Sequence, residues 1–275
     1  EDGQVAVFSS DSGLMRSVDG LNMWTTILPS LCRSFAMTRD GTKMVAVTAA
    51  TQTHVIQSSD SGATWTAPTP VAASAIRVVA ISDDGSTLAV GTAGSGATTT
   101  SFGTVWVSAD SGSSWVDTAP PLIANDVRNL VMSADGTSMM ATENREGLYQ
   151  TSDQGTTWRT ETSVRSGDVS WQSGSAAMSS DGVHRTLAQD GRGNTGRIWK
   201  SDNSGGLYTR GSSSETHYSI AMTSDGTGWL ASSNSGTSMG LWKSCDSGET
   251  WTQEVSGVSG AYTRVGLSGD GSVSV

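Results

Sequence analysis

The chain has 275 residues and carries 26 Asp and Glu residues against 16 Lys and Arg residues, which gives a formal net charge of −10 at pH 7. This charge excludes nonspecific nucleic-acid binding, which needs a positive surface to displace counterions. No stretch is apolar enough for a membrane span, and two cysteines cannot build a disulfide framework. We therefore expect a soluble, single-domain protein with no membrane span, in which Cys32 and Cys245 are free thiols.

Residues 1–30 predict three strands, which we name B, C and D for their place in a repeating unit. They are "QVAVFSS", "LMRSV" and "MWTTI". The chain starts at Glu1 without a charged and apolar leader, and we expect a secreted monomer.

A repeat built on an Asp-Gly pair follows, as in "MTRDGTKMVAV", "MSADGTSMMA" and "MTSDGTGWLA". Its aspartates are Asp40, Asp84, Asp135, Asp181, Asp225 and Asp270. They are separated by 44 to 51 residues, which is typical of one four-stranded propeller blade. The third unit predicts strand A at "RNLVMS", a tight turn at Asp135-Gly136, strand B at "SMMATE" and strand C at "GLYQTS". Trp158 then opens strand D.

A polar octapeptide joins strand C to strand D in each unit. Four good copies are "SSDSGATW", "SADSGSSW", "TSDQGTTW" and "SCDSGETW", and two altered copies are "SVDGLNMW" and "SDNSGGLY". Their third residues are Asp19, Asp60, Asp110, Asp153, Asn203 and Asp246. Asp and Ser side chains bond nearby amides, Gly takes a left-handed conformation and Trp packs on a neighbouring strand, so the octapeptide is expected to fold a corner.

The chain ends with a strand A, "RVGLS". We therefore predict an all-β, six-bladed propeller with four-stranded antiparallel blades, closed by N- and C-terminal strands in one shared blade. Strand B of that blade is either "EDGQVAV" or "GDGSVSV", and we favour the N-terminal copy. The predicted blades are 1–30 plus 262–275, 31–70, 75–120, 126–163, 172–211 and 216–256.

Strand A carries small residues, mostly Ala, at the position expected to face a crowded hub. A stripe of larger residues has the opposite parity: Met37, Ile81, Met132, Met178, Met222 and Leu267. We interpret this stripe, and the tryptophans Trp106, Trp199 and Trp242, as core. We predict no metal and no cofactor, since no EF-hand spacing is present.

The octapeptide pattern S-x-D-x-G-x-T-W resembles the Asp-box of sialidases and related β-propellers. The resemblance covers the whole chain as scaffold, and it implies that the boxes lie on the face away from the functional site. Because the Asp-box also occurs in photosystem assembly factors, sortilin-type receptors, some glucanases and lectins, the fold does not settle the function.

Three arginines stand at one position, seven residues before the hairpin Asp: Arg33, Arg77 and Arg128. They are expected to ring the mouth of the axis and to bind an acidic glycan or another anion, because guanidinium groups hold carboxylates bidentately. His217 and Tyr218 complete the expected ligand-binding set. The alternative is that the arginines pair with acids such as Asp126 or Glu143 and brace the mouth.

The resemblance also implies a nucleophilic Tyr at the start of the last inner strand, where Tyr262 stands, with Glu215 as its candidate base. The family's second and third carboxylate-binding arginines have no match between Arg210 and Arg264, and the loop "TAATQTH" has no acid/base Asp, although it contains His54. Three functions therefore stay open: a glycan-binding propeller, which we favour, a divergent glycoside hydrolase, and an assembly or adhesion scaffold.

Overall fold

The computed structural model describes most of the chain, with gaps that fall mainly between strands. The described residues are 5–19, 21–48, 55–67, 71, 75–94, 103–120, 126–143, 147–162, 164, 175–189, 197–210, 217–233, 240–256, 264–272 and 274.

Strands are the only regular elements in these ranges. In chain order they are β1 (Ala6–Ser10), β2 (Gly13–Ser17), β3 (Thr25–Leu28), β4 (Cys32–Met37), β5 (Met44–Thr48), β6 (Ile56–Ser58), β7 (Ile76–Ile81), β8 (Leu88–Thr92), β9 (Val105–Ser108), β10 (Val116–Asp117), β11 (Val127–Met132), β12 (Met139–Glu143), β13 (Leu148–Thr151), β14 (Arg159–Glu161), β15 (Ala176–Met178), β16 (Arg185–Gln189), β17 (Arg197–Ser201), β18 (Thr209–Arg210), β19 (His217–Met222), β20 (Trp229–Ser233), β21 (Gly240–Ser244) and β22 (Thr252–Ser256). Within the described ranges there is thus no helix that could span a membrane.

The strands form antiparallel meanders in which each strand pairs with its neighbours in sequence. Four sheets have four strands, β7–β10, β11–β14, β15–β18 and β19–β22, and two have three, β1–β3 and β4–β6. The prediction of an all-β chain is therefore confirmed, and four of the six sheets have the four antiparallel strands that were predicted. In the third unit the strand limits lie within one residue of those predicted from the sequence.

The Asp-Gly turns join strand A to strand B in each unit, and the turn of the third unit shows their geometry. In the third unit, the Ser133 amide donates to the Ser138 carbonyl (2.9 Å) and the Gly136 amide to the Ser133 carbonyl (3.0 Å), so the loop has four residues and is longer than the tight turn that we expected. Asp135 closes it by accepting bonds from the Ser133 hydroxyl (2.6 Å) and the Thr137 amide (2.9 Å). Gly136 has φ +75°, a conformation that costs Gly little.

The octapeptides fold corners, as their residues predicted. Asp60 accepts bonds from the Ser58 hydroxyl (2.7 Å), the Thr64 amide (2.8 Å) and the Thr64 hydroxyl (2.6 Å), and the Gly62 amide donates to the Ser58 hydroxyl (2.8 Å). These bonds, led by that of the Thr64 hydroxyl, lower the pKa of Asp60 to about 2. Asp110, Asp153 and Asp246 have the same contacts and the same pKa of about 2.

The two altered octapeptides keep the essential bonds. Asp19 accepts from the Ser17 hydroxyl (2.8 Å) and the Met23 amide (3.0 Å). Asn203 accepts from the Ser201 hydroxyl (2.8 Å) and from the Leu207 amide (3.0 Å). A side-chain carbonyl oxygen therefore replaces the carboxylate without loss of the turn.

The octapeptides lie at the same end of the strands as the Asp-Gly turns. The amide of Ser61 donates to the carbonyl of Thr42 (2.8 Å), and the amide of Gln154 donates to that of Thr137 (2.9 Å). The five octapeptides from Asp60 onwards thus each rest on the A–B turn of their own unit. The start of every strand A is at the opposite end.

Backbone bonds link successive A–B turns into a chain. The amide of Asp83 donates to Ala134, that of Ala134 to Ser180, that of Ser180 to Ser224 and that of Ser224 to Gly269, each at 2.8 Å. Serine side chains also link successive inner strands, nearer to the start of each strand. The hydroxyls of Ser34, Ser175 and Ser219 accept hydrogen bonds from the amides of Val79 (3.2 Å), Ile220 (2.6 Å) and Val265 (3.1 Å), respectively. We call these three serines the pin serines.

Each of the two segments proposed for strand B of the closing unit makes one of the contacts expected of that strand. Leu267 forms an isolated antiparallel bridge with Ser274, which the C-terminal copy requires. Val5 covers the turn at Gly41, as Lys43 covers Gly85 in the next unit, which the N-terminal copy requires. Among the described residues no ladder joins 264–268 to β1, so closure by one shared blade stays a prediction.

Hydrophobic clusters fill the space between neighbouring sheets. Met37, Ile81, Met132, Met178 and Met222 pack against five such clusters, as do Trp106 and Trp199. The interpretation as core is confirmed for these seven residues; Leu267 and Trp242 are half-buried and belong to none of the five clusters. Both cysteines are free thiols; Cys32 is buried, which raises its pKa to about 11, and Cys245 is exposed.

One cluster between sheets contains a buried charge. Arg185 is 1% exposed; its Nε donates to the Gly182 carbonyl (2.8 Å) and its Nη1 to Gln150 Oε1 (2.6 Å), while its Nη2 is buried without a hydrogen-bond partner. The Tyr208 hydroxyl also donates to Gln150 Oε1 (3.0 Å). Burial lowers the pKa of Arg185 and raises that of Tyr208. Among the described residues no carboxylate forms an ion pair with this guanidinium.

Candidate functional site

A cavity of about 610 Å³ lies where the inner strands converge. Its lining includes residues of β4, β7, β11, β15 and β19, together with residues 264–266 and part of β1. All six repeats therefore contribute to one cavity, which is the arrangement expected at the axis of a propeller.

The three predicted arginines line this cavity. Arg33, Arg77 and Arg128 are each the second residue of an inner strand, at the end opposite the octapeptides. The pairing register shifts at each of them, so that each arginine is the unpaired residue of a β-bulge. A bulge re-aims the side chain of its extra residue, and this explains how three arginines reach one space.

Asp126 pairs with two of the three arginines. Its Oδ2 lies 3.5 Å from Arg77 Nη2 and 3.5 Å from Arg128 Nη2, and its Oδ1 accepts the Gly94 amide (3.1 Å). The Asp126 side chain is 15% exposed, against 33% and 40% for the two arginines. The pairing of arginines with Asp126, which the sequence left open as an alternative, is therefore present. A single carboxylate serves both arginines.

A fourth arginine lines the same cavity. Arg264 was not among the residues selected from the sequence, because it stands one place later than the repeated position, where Ser34, Ser175 and Ser219 stand in other units. The sequence feature that could have identified Arg264 is an arginine one residue after the repeated position at the start of an inner strand. Four arginines and one aspartate give this cavity three excess positive charges among the described residues.

The remainder of the lining is uncharged. It combines the pin serines and Asn129 with apolar side chains such as Val78, Val131 and Phe8, the last of which is 39% exposed. The cationic side chains come from β4, β7, β11 and residue 264, whereas Ser175, which directly precedes β15, and Ser219 of β19 contribute hydroxyl groups. The cavity thus has a cationic side and a side of hydroxyl and apolar groups.

Other predicted site residues are not brought to the cavity. His217 is fully buried at the start of β19 and stacks on Trp251 with ring centroids 5.5 Å apart; it is absent from the cavity lining, so its expected role in ligand binding has no geometric support. Tyr218 is the bulge residue of β19, but its side chain lies outside the described part of the chain. Tyr262, Glu215 and His54 also lie outside the described residues.

Comparison with known proteins identifies the fold but no family. No protein-family model and no curated protein match the sequence. A GH74 enzyme of Niastella koreensis superposes with a TM-score of 0.70 at 16% identity, over 95% of this chain and 47% of its own. YCF48 from Cyanidioschyzon merolae superposes with a TM-score of 0.69 at 12% identity, over 97% of this chain and 86% of its own.

A structure of YCF48 bound to a D1 peptide also superposes, with a TM-score of 0.60 at 18% identity, over 92% of this chain and 79% of its own. The chain thus spans about half the length of the GH74 enzyme and most of the length of YCF48. These structures are β-propellers, and likeness at such low identity shows the fold alone. The chain is a β-propeller.

Proposed function

We propose that this chain is a six-bladed, sialidase-like propeller that binds an acidic glycan or another anionic ligand at its central cavity. The observation that carries the proposal is that Arg33, Arg77 and Arg128 occupy equivalent bulges and line one cavity. Structural bracing alone does not account for Arg33, because no ion pair or hydrogen bond involves its side chain among the described residues.

The charge of the cavity opposes that of the whole chain. A net charge of −10 repels anions at long range, whereas three excess arginine charges attract them at short range. Affinity therefore has to come from charge-assisted hydrogen bonds, which contribute about 1.5–3 kcal/mol each. The GH74 xyloglucanase among the structural neighbours is consistent with a glycan as the ligand of this chain. The YCF48 structure with a bound D1 peptide is consistent with a protein ligand.

Screening an array of acidic glycans and then titrating the selected ligand tests the proposal. Arg33→Ala, Arg77→Ala and Arg128→Ala should each weaken binding, Arg33→Ala by about ten- to a hundredfold. The effect of the other two should be smaller, because Asp126 already occupies part of their hydrogen-bonding capacity. Arg33→Lys keeps the charge but loses the two-pronged geometry, and it should fall between wild type and Arg33→Ala.

Arg159→Ala is the matched control, since Arg159 lies in the outer strand β14 and donates to the Ser204 carbonyl (3.0 Å). Its affinity should equal that of the wild type. Equal affinities for all four alanine variants would mean that the three arginines brace the hub, and an assembly scaffold would become the better proposal.

A further inference from the structure

One interface of the ring lacks both kinds of link described above among the described residues. The chain of turn-to-turn backbone bonds runs from Asp83 to Gly269 and joins Arg39 neither to Asp83 nor to Gly269, but the interface between β4 and β7 keeps the link from Ser34 to Val79. The Arg39 guanidinium instead bonds the Ser224 hydroxyl, and it lies over Gly269, where an added Cβ would meet its Nη2 at 2.9 Å. We call the boundary between 264–269 and β4 the seam.

The second kind of link is also missing at the seam. Arg264 stands where three of the other five units have a pin serine, the other two having Val78 and Asn129. An arginine side chain has no acceptor for a hydrogen bond from an amide of the next strand. On the other side of the seam, Arg33 opens the first inner strand. Among the described residues neither arginine has an ion pair or a side-chain hydrogen bond, although both line the cavity.

We propose that Arg264 is a further ligand-binding residue, and that an anion held jointly by Arg264 and Arg33 fastens the seam. This inference rests on the proposed function, because it assigns the primary contacts within the same cavity. Without a ligand, two like charges face one space, and neither kind of link crosses the seam among the described residues. With a ligand, the anion accepts bonds from both guanidinium groups and supplies the link that a serine supplies elsewhere.

Linkage requires this coupling to act in both directions. If the anion binds only when the seam is closed, it slows opening of the seam by a factor of one plus the ratio of ligand concentration to Kd. At ten times Kd, amide exchange that proceeds through seam opening should slow about tenfold. Exchange in β11 and β12, which lie three units away from the seam, should change by less than about twofold.

Hydrogen exchange of the full chain, read by mass spectrometry, measures this effect. The probes are 3′-sialyllactose and inorganic phosphate, with lactose as the uncharged control at equal ionic strength. The reporting amides are those of the two segments that border the seam, residues 264–272 on one side and β4 (Cys32–Met37) on the other. The variants are Arg264→Gln and Arg33→Gln, with Arg159→Gln as the control outside the cavity.

The inference expects a charged probe to protect the seam in wild type and in Arg159→Gln, but in neither cavity variant. Without a probe, Arg264→Gln should exchange no faster than wild type, because it removes a repulsion; faster exchange would reveal a structural role and overturn the inference. Calorimetric binding of a probe without protection of the seam would overturn the inference while the proposed function stands. Binding of neither probe would contradict both.

Discussion

Replacing Arg185 with methionine tests whether its buried charge stabilises the interface between two sheets. The side chain is almost fully buried, has neutral partners and leaves Nη2 unpaired. Methionine stands at the equivalent position of strand B in two other units, Met44 and Met139, so it fits the repeat. After the change the Tyr208 hydroxyl still donates to Gln150 Oε1.

The expected terms nearly offset one another. The change loses two hydrogen bonds, to Gly182 and Gln150, each worth about 1.5–3 kcal/mol for a charged donor. It removes a buried unpaired N–H group, worth about 1–3 kcal/mol, and buries an apolar side chain, worth about 1.5–3 kcal/mol. We expect the free energy of unfolding of Arg185→Met to lie within about 1 kcal/mol of wild type or above it, as replacements of buried charges by apolar residues often do.

Urea unfolding followed by tryptophan fluorescence measures this difference. Arg185→Ala is the matched control, because it removes the same charge but leaves a cavity that costs about 2–5 kcal/mol. The methionine variant should therefore be more stable than the alanine variant by about 2 kcal/mol or more. If both variants lost stability equally, the charge itself would be stabilising, and the neutral partners named above could not explain it.

Four other outcomes follow from the same geometry. Asp126→Asn should tighten anion binding about fivefold by calorimetry, since it removes a negative charge worth about 1 kcal/mol at this range; weaker binding would mean that Asp126 positions the arginines. Because the pKa values of Asp60 and its three equivalents fall to about 2 from 3.8, the unfolded chain binds more protons between these values, so stability should hold above about pH 4 and fall towards pH 2 in acid-unfolding curves; a flat profile would contradict the assigned bonds. A fluorogenic sialoside should not be hydrolysed, whereas turnover that Tyr262→Phe abolishes would establish an enzyme. Removing residues 264–275 takes away the partners of Ser219 and Ser224 and should lower Tm and cause aggregation on size-exclusion chromatography; a monomer with unchanged Tm would refute six-blade closure.

Local chemistry made the scaffold predictable from the sequence. The Asp-Gly turn and the octapeptide each satisfy their own amides within eight residues, so their bonds can be inferred without knowledge of the fold. The unpaired residue of a β-bulge cannot be inferred in this way, because it depends on how Arg33 or Arg77 faces the strand beside it. The repeated spacing predicted that the arginines lie at equivalent positions of the inner strands. Only the pairing register of strands A and B shows why their side chains share one cavity.

Contacts between repeats explain what the sequence did not predict. The sequence left open that the arginines pair with Asp126, but no spacing rule shows that this one carboxylate joins arginines from two different sheets. His217 was expected in the ligand-binding set, yet it is buried and stacks on Trp251, which directly precedes β22. Arg264 was passed over because it departs by one residue from the repeat, which is the kind of local exception expected at a functional position.

The chain of bonds between the A–B turns uses main-chain atoms alone. The residues that form it are Asp83, Ala134, Ser180, Ser224 and Gly269, which have no side-chain property in common. Substitution of Asp83, Ala134, Ser180 or Ser224 by any residue except proline keeps the donor and acceptor of these bonds, so the spacing of the inner strands does not depend on which side chains these four positions carry. At their opposite ends the same strands are free to diverge in sequence, so new ligand specificities can arise there by point mutation without any change in the circumference of the ring.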